Sequence, residues 1–385
     1  MLFRDVMVDE NIKKQLINQV KSNRISHAQL FLSQPGGEGF ALAVAYAQYL
    51  SCSDKQEHDS CGVCPSCQKY IKLAHPDLHL YFPNAITKDV KKDPDSRQFT
   101  KEFIQFVQNN NYHINLDDWL SHLDAENKQA SINIRDCVNI IEENGNRSYE
   151  GGYKVFILWM VERLFHSAAP KLLKTLEEPE RNTLFVLISE NPDKILTTIQ
   201  SRAQLIKLPK LSEEMIAQQL MQEYSISHEV ARDIAVLSDG NYHLALSLFQ
   251  DQGEMGKLQD YCAKLLDSLN SFVTTANKTH IDFIGVNNVF QEIVGGGREN
   301  QKQFIGYLLS LFRKMLLHNT HNNPVLKLTE KEKALLASYA NLITLRNITP
   351  IVKECNEAIY HIERNGNSNI IFNDLYLKLA EIMKS

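Results

Sequence analysis

The chain has 385 residues, 43% of them apolar and 23% charged, with a formal net charge of −5. This length exceeds one ordinary core and calls for two or three domains. The acidic balance speaks against an autonomous nucleic-acid binder, which carries a basic excess. The longest apolar runs, 40–47 and 155–161, fall well short of the roughly 20 residues a membrane span needs. Met1-Leu2-Phe3-Arg4-Asp5 is no signal peptide. A cytoplasmic protein is expected, in which the seven cysteines stay reduced and clustered thiols point to metal rather than disulfides.

Residues 3–27 read as a helix, with Ile12, Leu16, Ile17 and Val20 at helical spacing and Lys13, Lys14 and Gln15 turned outward. Ser26-His27-Ala28 turns the chain into a short apolar strand, Leu30-Phe31-Leu32, and His27 reads as a hydrogen-bonded structural histidine. The strand breaks at Ser33-Gln34-Pro35-Gly36-Gly37-Glu38-Gly39 and resumes as an Ala-rich helix former. Strand, glycine loop and helix are the layout of a phosphate-binding loop, where backbone N–H groups and a helix N-terminus cradle phosphates. A working loop ends in Gly-Lys-Ser/Thr, the Lys neutralising the outer phosphates and the hydroxyl holding Mg²⁺. Here those places are Gly39-Phe40-Ala41, so the layout is kept and the chemistry is gone.

Four cysteines follow as Cys52-x8-Cys61-x2-Cys64-x2-Cys67. Their spacing matches a closed, tetrahedral, structural Zn²⁺ site, with Gly62 and Pro65 suited to the turns between ligands. The alternative is a loop of free thiols. His58 and His75 are spare ligands, but four thiolates complete the shell and leave no open position for catalysis. Cys137, Cys262 and Cys355 are scattered at apolar positions and read as buried thiols.

A strand is expected at 78–82. From 84 to 130 the pattern dissolves into polar sequence in which Phe103, Phe106 and Trp119 hint at short amphipathic helices, and the segment reads as an insertion. Its charge run, 88–97, is a solvated loop or, alternatively, a DNA or partner contact. Ile132, Ile134, Val138 and Ile141 then form a helical stripe, and 153–159 (YKVFILW) reads as a strand buried on both faces. Ser167 is a cap for a helix over 168–178 that packs Leu172, Leu173 and Leu176 and stops before Pro179. Further strands fall at 184–188 and 205–208, giving a three-layer α/β domain closed by Pro209. Helices beginning at Ser212, Ser227 and Asn241 make a small three-helix domain. Beyond the polar link 251–257 the chain reads as helical throughout. Its clearest helix carries a stripe of Ile351, Cys355, Ala358, Ile359 and Ile362, a Thr349 cap with Pro350 at the first helical position, and a left-handed close at Asn365-Gly366.

These segments together resemble the delta-prime family of bacterial DNA polymerase III clamp-loader subunits, within the AAA+ ATPase superfamily. The resemblance rests on Ser26-His27-Ala28-x-Leu30-Phe31, the loop Pro35-x-Gly37-x-Gly39, and the four-cysteine module ahead of His75-Pro76-Asp77. It rests also on Leu172-Leu173-Lys174-Thr175-Leu176-Glu177-Glu178-Pro179, the 189–192 turn, and Thr198-Ile199-Gln200-Ser201-Arg202. It implies an AAA+ three-layer parallel-sheet core at 1–209, carrying the zinc module (52–67) and the insertion (84–130). A three-helix lid at 210–250 and an all-α collar for oligomerisation at 251–385 complete the implied architecture.

The departures from the family pattern are as informative. Aligned on the family, the Asp-Glu pair that supports Mg²⁺ and polarises water falls on Trp159 and Met160. Glu162 nearby reads as a surface residue. The lid's sensor arginine falls on Leu244, and the polar sensor position on Asn191, here a turn former. The degenerate nucleotide site is therefore Gly37, Gly39, Phe40, Ala41, Trp159 and Met160, and no productive ATP binding is expected. Arg202 occupies the position from which such subunits reach into a neighbour's ATP site as an arginine finger; the alternative is a salt bridge at a helix end. The implied partners are the clamp-loader ATPase subunits, the delta subunit, the sliding clamp and, through the hetero-oligomer, primed DNA. Two other readings are an active clamp-loader-type ATPase with unusual residues and a zinc-dependent DNA-binding protein.

Overall fold

The computed structural model describes residues 1–126, 128–165, 169–250, 252–274, 283–319 and 328–384. They form two compact units, Met1–Leu246 and Ser247–Ser385. The expected cap Ser167 and the following Ala168 lie outside the described residues.

In the first unit α1 (Glu10–Lys21) precedes β1 (Ala28–Leu32), and α2 (Gly39–Ser51) and α3 (Pro65–Ile71) follow it. Next come β2 (Leu78–Tyr81), α4 (Thr100–Asn109), α5 (Leu116–His122), α6 (Ile134–Gly145) and β3 (Lys154–Trp159). The core closes with α7 (Ala169–Glu177), β4 (Thr183–Ser189), α8 (Thr197–Gln200) and β5 (Gln204–Lys207). The five strands form one sheet in the order β2-β3-β4-β1-β5, and every pairing is parallel. In register, Leu30 sits between Leu187 of β4 and Leu205 of β5.

Side chains alternate across a strand, so the apolar run of β3 serves two layers. Val155, Ile157 and Trp159 join the cluster containing the α2 residues Phe40, Ala43 and Ala47. Phe156 and Leu158 join the opposite cluster, with Cys137 and Ile140 of α6 and Leu172 and Leu176 of α7. This is the three-layer α/β core that the sequence implies. The helices α4 and α5 of the expected insertion extend the first layer: Phe103, Phe106, Val107, Leu116, Trp119 and Leu120 belong to the same cluster as α2.

Three expectations fail at this level. Lys13 is buried and paired with Glu10 at 2.8 Å, not turned outward. The helix expected over 3–27 is shorter, a 3-10 turn at Phe3–Asp5 followed by α1 with Asp9 as its cap. On α6, the stripe Ile134, Val138 and Ile141 is the exposed face, and only Ile132 of the expected set is buried. The helix is oriented instead by Asp136, fully buried, which accepts hydrogen bonds from Ser96 N–H (2.7 Å), Asn84 Nδ2 (3.1 Å) and Asn133 N–H (3.1 Å). A buried carboxylate left without those donors would be costly, so polar satisfaction sets the rotation of the helix.

The helices α9 (Glu213–Tyr224), α10 (His228–Leu237) and α11 (Tyr242–Gln250) follow the sheet. Ser212 and Ser227 cap the first two through Met215 N–H and Val230 N–H, as their sequence positions imply.

The second unit contains α12 (Gln252–Thr274), α13 (Phe283–Gly295), α14 (Gly297–Asn319), α15 (Glu330–Tyr339), α16 (Ile348–Glu363) and α17 (Ser368–Lys384). Its core is lined by Leu266, Phe304, Leu311, Phe312, Phe372 and Leu379 among others. Thr329 and Glu332 form a capping box, and the buried Glu332 carboxylate is neutralised by Lys314 at 2.7 Å. The helix expected to start at a Thr349 cap begins earlier, with Asn347 as its cap residue. It closes at Asn365, which takes the left-handed conformation (φ 64°). Among the described residues, no helix is long and apolar enough to cross a membrane.

Candidate functional site

In an open parallel sheet, ligands bind at the carboxyl ends of the strands where the strand order reverses. In this fold that place is the loop leaving β1. Gly37 N–H donates to the Gln34 carbonyl at 3.0 Å and closes the turn, and Gly36 takes a left-handed conformation. Gly39 begins α2 against the sheet: a Cβ there would lie 2.9 Å from Ser33 Oγ and 3.0 Å from Ile188 Cγ2. Only glycine permits that approach of helix to strand.

The loop's floor is apolar. Phe40 and Ala41 in the first turn of α2 are 2% and 1% exposed, and Trp159 and Met160 at the end of β3 are 2% and 5% exposed. The structure therefore brings Gly37, Gly39, Phe40, Ala41, Trp159 and Met160 to one end of the sheet. Phe103 of α4 lies between two of them, its ring centroid 5.6 Å from Phe40 and 5.8 Å from Trp159. Phe82 stacks on its other side at 3.8 Å, and Trp119 meets it edge-on at 5.2 Å.

The polar groups around this floor are mainly carboxyl groups. Gly36 N–H, a donor of the loop, points at Glu190 Oε1 at 3.4 Å, and Glu190 N–H donates to Glu162 Oε1 at 3.0 Å. Glu162 is thus half-buried and engaged in the crevice, where a surface residue was expected. Burial, followed by the Glu162 charge, pushes the Glu190 carboxyl up to about 8. Glu38, in the cap position of α2 and 5% exposed, lies 2.9 Å from His113 Nδ1. That approach is angled too poorly for an aligned hydrogen bond and is best described as an ion contact. Burial lowers the His113 pKa, but the charges of Glu38, at 2.9 Å, and Glu223 outweigh it and the net shift is upward.

The helices after the sheet close over the loop. Gln34 Nε2 donates to the Gly240 carbonyl, and Asn241 Nδ2 donates to the Pro35 carbonyl at 2.6 Å. The His113 ring lies 4.9 Å from Tyr242, whose hydroxyl donates to Glu223 at 2.7 Å. His243 Nε2 is 2.8 Å from Asp118 Oδ2 and 3.1 Å from Asn115 Nδ2. Leu244 is half-buried, its N–H capped by Asn241 Oδ1 at 3.0 Å.

Glu38, His113 and Glu190 are residues that sequence reasoning missed. Glu38 was visible as the one acid in the glycine loop, and Glu190 lies in the 189–192 turn already singled out. Nothing marked His113, which meets Glu38 only through the fold.

A second candidate site is the four-cysteine cluster. The Sγ atoms of Cys52, Cys61, Cys64 and Cys67 all lie within 4.8 Å of one another and could hold a metal ion. The separations Cys52–Cys61, Cys61–Cys67 and Cys52–Cys64 are 3.6, 3.9 and 4.0 Å. Four thiolates at tetrahedral corners of a zinc ion, about 2.3 Å from it, would be about 3.8 Å apart. Three backbone donors already face the sulfurs, Cys61 N–H to Cys52 (3.4 Å), Cys64 N–H to Cys61 (3.3 Å) and Cys67 N–H to Cys64 (3.4 Å). The donor set and its surrounding N–H groups fit the metal. Gly62 supplies the left-handed turn between ligands (φ 74°), and Pro65 opens α3.

The spare histidines take no part. His58 is exposed, and His75 Nε2 contacts Glu150 Oε2 at 3.1 Å. Asp77, of the same His75-Pro76-Asp77 motif, accepts from Ser148, Tyr149 N–H and Glu150 N–H, so the motif pins the turn before β3.

Arg202 lies just beyond α8. It pairs with Glu177 at the end of α7 and donates through Nη1 to the Thr198 carbonyl at 2.8 Å. Its side chain is 32% exposed. Asn191 caps a 3-10 turn over Pro192–Lys194 without a side-chain bond.

A family model described as DNA polymerase III, delta subunit, matches residues 8–212. Among curated proteins, the chain is 27% identical over 237 residues to DNA polymerase III subunit delta' of Escherichia coli (strain K12), covering 62% of this chain and 58% of that one. It is 27% identical over 228 residues to the subunit delta' of Bacillus subtilis (strain 168), covering 59% and 55%. The DNA polymerase III subunit tau of Bacillus subtilis (strain 168) is 25% identical over 338 residues, covering 83% and 50%. The chain spans about half the length of the curated relatives it matches.

Proposed function

Because the chain belongs to the DNA polymerase III delta-subunit family, with delta-prime subunits among its relatives, we propose that it is a non-catalytic subunit of a replicative clamp loader. In this reading it assembles with the ATPase subunits and the delta subunit in the cytoplasm. It helps place a sliding clamp on primed DNA and lends Arg202 to a neighbour's ATP site. Zn²⁺ at Cys52, Cys61, Cys64 and Cys67 staples the 52–67 loop and has no catalytic part.

The observation that carries the non-catalytic reading is the apolar floor of the β1 loop. Phosphoryl transfer is catalysed by positioning and charge neutralisation. Phe40, Ala41, Trp159 and Met160 can neutralise nothing, and no lysine or hydroxyl stands at the 40–41 positions of the loop to do so. The reading of Arg202 as a finger draws support from its half-exposed pairing. An ion pair at such exposure contributes about 0.2–1 kcal/mol, so exchanging Glu177 for a neighbour's phosphate costs little.

Calorimetric titration of the full chain with MgATP tests the central part of this proposal. No binding up to about 1 mM, and no hydrolysis above background, is the expected outcome. Micromolar binding with turnover would overturn it.

A further inference from the structure

We propose that residues 84–126 are a built-in plug that stands in for a nucleotide: they fill the crevice at the β1 loop and bolt the helices α9–α11 onto the sheet. This rests on the reading of that crevice as a vestigial nucleotide site. A nucleotide bound there would touch three parts at once: the loop, the end of β3 and the helices that close over them. The insertion touches the same three. Phe103 packs between Phe40 of the loop helix and Trp159 of β3. His113 meets Glu38 at the loop and the ring of Tyr242 on α11. At the start of α5, Asp118 accepts from His243 Nε2 of α11 at 2.8 Å and Asn115 Nδ2 donates to His243 Nδ1 at 3.2 Å.

The insertion is itself anchored to the core and not merely lying on it. Trp119 Nε1 donates to the Pro83 carbonyl at 2.8 Å, and Phe82 stacks directly on Phe103. Its apolar side chains are continuous with the cluster beneath α2, so it cannot lift away without exposing Phe103, Phe106 and Trp119 together. The consequence is that α9–α11 keep one orientation whatever the nucleotide supply. In a nucleotide-driven relative the same orientation would be set by a ligand that comes and goes.

The two tryptophans of the chain, Trp119 and Trp159, both sit in this aromatic cluster, so fluorescence under tryptophan-selective excitation reports on the packing of the plug against β3. In the unmodified full chain, acrylamide should quench that emission several-fold less efficiently than it quenches free tryptophan. Quenching at the free rate would overturn the proposal. The second measurement is hydrogen exchange on the full-length double variant His113→Ala/His243→Ala, which leaves the aromatic cluster in place. Amides of 213–246 should exchange at least tenfold faster than in the unmodified chain, while those of β1 and β4 keep their protection. Unchanged exchange over 213–246, with MgATP still unbound, would overturn the plug and leave the non-catalytic reading intact. Binding of MgATP by the unmodified chain would overturn both.

Discussion

Glu190 is the residue whose charge the crevice tolerates least. Glu162 and Asp117 disfavour its ionisation, whereas Gly36 N–H and Arg163 favour it, and burial decides the balance. An acid raised from its ordinary value of 4.5 to about 8 stabilises the folded state fully only below 4.5, and that contribution is lost as pH rises through 8. Glu190→Gln removes the titration. The variant should therefore gain on the unmodified chain as pH rises, by up to about 3 kcal/mol near neutrality, and the gap should close toward pH 4.5. Thermal denaturation at pH 5 and pH 8 checks this; an equal loss at both values would contradict it. The floor residues make the complementary case. Phe40→Lys with Trp159→Asp replaces two buried apolar side chains, each worth about 1.5–3 kcal/mol, by an ion pair facing Phe103. Denaturant titration should find the double variant less stable by about 3 kcal/mol or more, and it should still not hydrolyse ATP; stability equal to the unmodified chain would refute the packed-floor account.

At the scale of elements, the four-cysteine module is a local loop joined to the core through Leu50, Tyr70 and Leu73. Its loop is tied to the chain's start by Asp59, which accepts from Phe3 N–H at 2.9 Å and Arg4 N–H at 3.1 Å. Metal analysis should return one zinc per chain. Removing it with a chelator should free four titratable thiols and lower Tm by several degrees, because binding energy at such a site is folding energy. A chain that carries no metal as purified, with all four thiols reactive and Tm unchanged by added zinc, would contradict this. The module was legible in sequence because its ligands are local, and so was the loop, whose glycines and missing lysine lie within one short stretch. The strands were legible for the same reason, since β3 and β4 are apolar on both faces. Contacts across long separations were not. Glu38 and His113 are joined by a segment whose polarity hid two packed helices, and Glu190 meets Glu162 only because β3 and β4 are neighbours in the sheet. On α6, two apolar stripes competed, and the buried hydrogen bonds of Asp136 chose between them. Periodicity alone carries no such information.

The described residues fall into two compact units. The first unit carries a five-stranded parallel sheet whose β1 loop has an apolar floor, and the second is all-helical among the described residues. Under the proposed function the chain acts on ATP only through a neighbour, and Arg202 is the residue through which it would do so. A guanidinium supplied in trans is worth on the order of 10³–10⁵ in rate at the site it serves, while contributing little to the fold that carries it. The deciding measurement is DNA- and clamp-stimulated ATP hydrolysis by a reconstituted complex containing either the unmodified chain or Arg202→Ala. The account predicts that the variant assembles normally and that hydrolysis falls by the share of the one neighbouring site, with clamp loading impaired. Full hydrolysis and full clamp loading by a complex shown to contain Arg202→Ala would contradict it and leave Arg202 as the partner of Glu177 alone.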